Sequence, residues 1–170
     1  LTDKDMSYYE VKDIVNPNDH VFKNWEKEYL TFLIVEIKEN PSLNENNYRH
    51  ILGIFPVTEF WEKKIQVNDI AVNKNALRTL NQIKEGVSGS FFSKKVNSND
   101  STLRKHVKSE YVKFATNDAF KFLDNNFDKD FNALDALRLH DSLKERNALR
   151  PLPLLTKWIK NSDNEEFQAF

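Results

Sequence analysis

Residues 16–41, NPNDHVFKNWEKEYLTFLIVEIKENP, decide whether this chain is all-helical or carries a sheet. Asn16, Asn18 and Asp19 are helix-capping residue types at one end, and Asn40 followed by Pro41 is a helix stop at the other. Between them Phe22, Trp25, Tyr29, Leu33 and Ile37 recur at helical spacing. The rival is a strand at 29–37, because YLTFLIVEI is rich in β-branched and aromatic residues. Length and caps favour the helix, and the fold expected is mostly α; an α+β fold with a strand at 29–37 is the alternative.

Working outward, helical punctuation repeats. NENNYRHILGIF predicts a short helix ended by Gly53 and Pro56, and PVTEFWEKKI a second with Pro56 in its first turn. KIQVNDIAVNK alternates around Asn68 and Asp69, which predicts one small β-hairpin near 65–72. NKNALRTLNQIKEG places Ala76, Leu77, Leu80 and Ile83 on one helical face, with Gly86 as its stop. Asn99, Asp100 or Ser101 caps a helix with an apolar stripe at Leu103, Val107, Tyr111 and Phe114. Thr116 is a cap for NDAFKFLDNNF, Asp130 for FNALDALRLHDSLKERN, and Pro153 opens LLTKWIKN. The result is a single helical domain of about seven or eight helices over 16–161, preceded by an arm or short helix at 1–15 and followed by a loose tail at 162–170.

A chain of 170 residues with 39% hydrophobic content and 13 Phe, 5 Tyr and 3 Trp has enough apolar material for one core. It contains no cysteine, which removes disulfides, thiolate catalysis and Cys-based metal sites, and fits an intracellular location, nucleus or cytoplasm. The longest apolar run is far short of the ~20 residues of a membrane span, so no membrane partner is expected. The polar opening at Leu1 lacks a signal-peptide pattern, and the chain reads as part of a longer or processed protein.

The formal net charge is −1, but it is unevenly placed. Residues 1–70 hold 8 Lys and Arg against 13 Asp and Glu, 71–116 hold 9 against 3, and 117–170 hold 8 against 10. In the basic middle, Lys94, Lys95, Arg104, Lys105, Lys108 and Lys113 surround KEGVSGSFFSKKVNSND, residues 84–100. Arg104 and Lys108 lie one turn apart with Lys105 beside them, off the apolar stripe, so the cluster is expected to face solvent. At the first turns of a helix it would suit a phosphate or carboxylate. Phe91 and Phe92 either hold the loop to the core or stack on a partner.

Chemistry is less visible. His20, His50, His106 and His140 form no metal-ligand spacing, and the His140-Asp141 dipeptide alone is a weak sign of a metal-dependent phosphohydrolase. GVSG has neither the spacing nor the preceding strand of a phosphate loop, and Ser88, Ser90 and Ser93 lack a nucleophile elbow. They read as a loop open to phosphorylation. DNNFDKD, residues 124–130, lacks the glycine and terminal Glu of a calcium loop.

The functional expectation is therefore a non-catalytic module with no cofactor or metal. It would recognise nucleic acid or an acidic or phosphorylated protein segment through the basic face at 74–113. One alternative is a scaffold or assembly subunit, within a larger complex, that meets its partner through an apolar groove lined by Trp or Phe. Another is a fragment of an enzyme whose active site lies elsewhere.

Overall fold

The computed structural model describes residues 4–123 and 131–152, with positions 165 and 169. Among these the chain is mostly helical and contains no strand. Seven α-helices follow in order: α1 (Tyr8–Val15), α2 (Asn24–Lys38), α3 (Glu45–Ile54), α4 (Val57–Gln66), α5 (Ile70–Ile83), α6 (Ser101–Phe114) and α7 (Ala133–Leu149). Two 3₁₀ turns, Gly89–Phe91 and Ser93–Lys95, lie between α5 and α6. The chain divides into two compact units, one of residues 1–64 and 78–87, the other of 65–77 and 88–170.

In the first unit α1 packs on α3 around Val11 and Ile51, and Asn47 ties in the segment ahead of α1. Its side-chain oxygen accepts from the Met6 amide at 2.9 Å and its amide donates to the Lys4 carbonyl at 2.7 Å. The strand alternative at 29–37 is excluded, since α2 runs through it. The helix begins at Asn24, later than the Asn16 to Asp19 caps predict. Asn16 instead closes its own turn by accepting from the His20 amide at 2.9 Å, and Asp19 has φ +52°. The carboxylate of Glu26 reaches back to the Lys23 amide, and that bond holds its pKa below the usual carboxylate range. The inner face of α2 is fixed at Thr31 and Ile34; the Thr31 hydroxyl accepts from the Trp61 indole at 2.9 Å in the buried interior. Lys38 closes α2 by donating to the carbonyls of Gln82 (3.3 Å) and Ile83 (2.7 Å), which satisfies the last turn of α5.

In the second unit the expected hairpin near 65–72 is a turn between helices. The Asp69 carboxylate accepts from the Val72 amide at 3.0 Å and so caps α5. Buried Asn73 donates to the carbonyls of Ile65 and Val67, both at 3.0 Å. A tight turn plus a capping Asp satisfies the backbone that a hairpin ladder would otherwise have paired. Within α5, Ala76, Leu77, Leu80 and Ile83 are fully buried, as their spacing predicts. The helix ends with Lys84 in the left-handed region (φ +60°), and Gly86 takes a second positive φ (+71°) two residues on.

α6 and α7 run parallel and pack closely, as the pairs Lys105 to Asp135 and Lys113 to Glu145 require. Their shared core is Val112, Phe120, Leu123, Phe131, Leu139 and Leu143. The helix expected from Thr116 is instead a run of turns through Leu123; the putting of Phe120 and Leu123 into this core sets its course. α7 is capped by Asn132 rather than Asp130, in a reciprocal box with Asp135. The run 124–130, which lacks the marks of a calcium loop, and the helix expected from Pro153 lie outside the described residues.

Candidate interaction surface

The residues expected to form a solvent-facing basic face are divided by the structure. Lys94 is exposed on the second 3₁₀ turn. Lys95 is half-buried and donates to the Val67 carbonyl at 2.9 Å, and Arg104 donates to the Ser98 carbonyl at 2.7 Å. Lys105, Lys108 and Lys113 are buried, against expectation. Lys105 meets the Asp135 carboxylate at 2.7 Å with both side chains 7% exposed. Lys113 meets Glu145 at 2.6 Å and lies over the Phe114 ring, 5.0 Å from its centroid. The physical reason is that α6 is covered on more than one side. Within this unit α7 and both 3₁₀ turns pack on it, so nine of its 14 residues are buried. Lysine stems are apolar enough to enter such a helix interface when a carboxylate receives the head.

The loop aromatics also separate. Phe92 is fully buried, tilted against Phe114 with ring centroids 5.8 Å apart, while Phe91 is half-buried. Gly89 is buried: a Cβ there would come within 2.8 Å of the Ala115 Cα. Ser88, Ser90 and Ser93 brace these turns, with the Ser90 hydroxyl 3.0 Å from that of Ser88 and the Ser93 hydroxyl donating to the Ser90 carbonyl at 2.8 Å.

The histidines stand apart. His20 lies 3.3 Å from Glu26, His106 3.4 Å from Glu110 and His140 3.8 Å from Asp141, and His50 meets the Tyr8 ring edge-on. Among the described residues no three His, Asp or Glu side chains gather as a metal site would need. None of their helices is long and apolar enough to cross a membrane. The first unit has a cleft of about 200 Å³ beside Lys38, Tyr48, Arg49 and Glu85. Tyr48 is buried there, its hydroxyl has no hydrogen-bond partner among the described residues, and burial, then the charge of Glu85, pushes its pKa up to about 12.

The most distinctive surface lies on α2. With Thr31 and Ile34 turned inward, Trp25, Tyr29 and Phe32 are 65%, 61% and 59% exposed, and Leu33 and Ile37 continue the same face. Residues four apart share a helix face, so Trp25, Tyr29, Leu33 and Ile37 form one ridge with Phe32 at its side. Glu28 and Glu36 are the charged residues exposed among them. The spacing that marks a core stripe is real, but α2 has more apolar residues than one face can bury. Elsewhere Leu134 and Leu137 on α7 are also exposed. No protein family, curated protein or solved structure matches this chain.

Proposed function

We propose that this chain is a non-catalytic protein-binding module whose recognition surface is the outward face of α2. The observation that carries this reading is the contiguous exposure of Trp25, Tyr29 and Phe32 on one face of a helix packed on the other. Single exposed apolar residues are ordinary, whereas clustered exposed aromatics mark interaction sites and supply most of the energy in binding hot spots. Such a role suits a scaffold or assembly subunit.

Recognition of nucleic acid or an acidic segment through 74–113 is the second reading. It is supported by exposed Lys94, but Lys105 and Lys113 direct their charge to α7. A comparison of proteins retained from native extract by wild type, Trp25→Ala/Phe32→Ala and Lys94→Glu separates the two. The α2 reading expects a partner set lost only in the double variant and insensitive to salt. Retention lost in Lys94→Glu and falling steeply with salt supports the second reading instead. An unchanged set in the double variant refutes the first.

A further inference from the structure

We propose that the cleft beside Tyr48 in the first unit binds a small free α-amino acid with an aliphatic side chain, held as its zwitterion; this goes beyond the α2 reading and does not depend on it. The cleft lies between the end of α2, the start of α3 and the end of α5, with Lys38, Leu43, Glu45, Tyr48, Arg49 and Glu85 on its walls. Its volume of about 200 Å³ equals that of about seven water molecules. That admits a small amino acid and little more.

Tyr48 is 4% exposed, and its hydroxyl is a buried polar group with no hydrogen-bond partner among the described residues. Such a group costs stability unless a partner comes from outside the chain. Glu85 lines the same cleft, and its negative charge is the one felt at this hydroxyl, which keeps its proton up to about pH 12. A neutral hydroxyl can accept as well as donate. Hydroxyl and carboxylate together therefore suit an ammonium group.

The charges around the cleft balance, with Lys38 and Arg49 positive and Glu45 and Glu85 negative. Lys38 donates to the carbonyls of Gln82 and Ile83, so its charge is spent on the negative end of α5. Arg49 stands between Glu45 at 3.5 Å and Glu85 at 3.9 Å. Both contacts are longer than the roughly 2.7–2.9 Å of a well-formed charged hydrogen bond. A bound cation would draw Glu85 away and leave Arg49 underpaired, and a bound anion would draw Arg49 away and leave Glu85 underpaired. A zwitterion does neither: its carboxylate takes Arg49 in the two-pronged geometry that guanidinium favours, while its ammonium takes Glu85 and the Tyr48 hydroxyl. One slack pair is exchanged for two close ones at unchanged net charge. Leu43 is the aliphatic residue of the cleft, and the ligand's side chain rests against it.

Titrating the nitrogen-15-labelled full chain with L-valine, while following backbone amide shifts, tests this. L-Valine should give saturable shifts concentrated at residues 38–49 and 82–86, with a dissociation constant on the order of 0.1–1 mM for a ligand of so few atoms. L-Valinamide lacks the carboxylate and 3-methylbutanoate lacks the ammonium; each should bind at least about tenfold more weakly. Tyr48→Phe keeps the ring and should weaken L-valine by about threefold to tenfold, and Glu85→Gln by about tenfold or more. The same spectra report whether each variant keeps its fold. Shifts that do not saturate below about 20 mM L-valine overturn the inference. So does equal binding of L-valinamide, which would mark an amine site such as one for a peptide N-terminus. Equal binding of 3-methylbutanoate, which would mark an anion site, or unchanged affinity in Tyr48→Phe overturns it as well.

Discussion

Replacing Lys105 with Met is the most direct test of how α6 is built. Met keeps most of the apolar stem of lysine and removes the charge. The Asp135 carboxylate would then remain buried without the ammonium now 2.7 Å away. Removing one member of a buried ion pair costs about 3–5 kcal/mol when nothing else compensates. Here Asp135 retains the Asn132 amide at 3.2 Å and the Arg138 guanidinium at 3.3 Å, which places the expected loss near the lower end, about 3 kcal/mol. With a urea slope of roughly 2 kcal/mol per M, the unfolding midpoint followed by far-UV circular dichroism should fall by about 1.5 M. Adding Asp135→Asn, which removes the stranded charge and keeps an oxygen for the α7 cap, should recover about 1–2 kcal/mol. A surface lysine on a solvated helix would give a change within about 0.5 kcal/mol. A loss that small, or no recovery in the double variant, would refute the buried pair.

Two further expectations use the same denaturation assay. Gly89→Ala should cost about 2–3 kcal/mol, because its Cβ would sit 2.8 Å from the Ala115 Cα and 3.0 Å from its nitrogen, and backbone cannot yield as a side chain does. Gly86→Ala meets only Thr58 at 3.8 Å but keeps φ +71°, for about 1 kcal/mol; the reverse ranking would contradict the packing described. Tyr48 holds its proton more tightly folded, up to about pH 12, than unfolded, at about 10. Its effect on stability is therefore flat below about pH 10 and turns unfavourable as pH rises toward 12, by at most about 1.4 kcal/mol per unit. Tyr48→Phe should remove that slope and cost less than about 0.5 kcal/mol at neutral pH, since the hydroxyl has no hydrogen-bond partner among the described residues; a clear loss at neutral pH, or an unchanged slope, would count against it.

Legibility in the sequence followed the range of the interaction. Helix existence was readable where caps and apolar period agree locally, as at Asp100 for α6, whose carboxylate accepts the Leu103 amide proton in the first turn. The turn at Asn68 and Asp69 was misread because alternation over a few residues fits a hairpin and a helix cap alike. The first buried face of a helix was readable, as at Ala76, Leu77, Leu80 and Ile83 of α5, whereas a second covered face was not, because that depends on partners far along the chain. Val112 is fully buried off the Leu103, Val107, Tyr111 stripe, and this second apolar position was the available sign that α6 has more than one buried side. On α2 the surplus of aromatic residues over what one face can bury was the corresponding sign.

The buried lysines of α6 also order events in time. Lys105 and Lys113 meet the Asp135 and Glu145 carboxylates of α7, about 30 residues later in the chain. Until that helix arrives both ammonium groups are better left in water, so α6 has no electrostatic reason to shed its hydration early. Its amphipathic stripe can collapse first, while its charged flank waits on a distant segment. The final dehydration of this helix should therefore follow the docking of α7 rather than precede it.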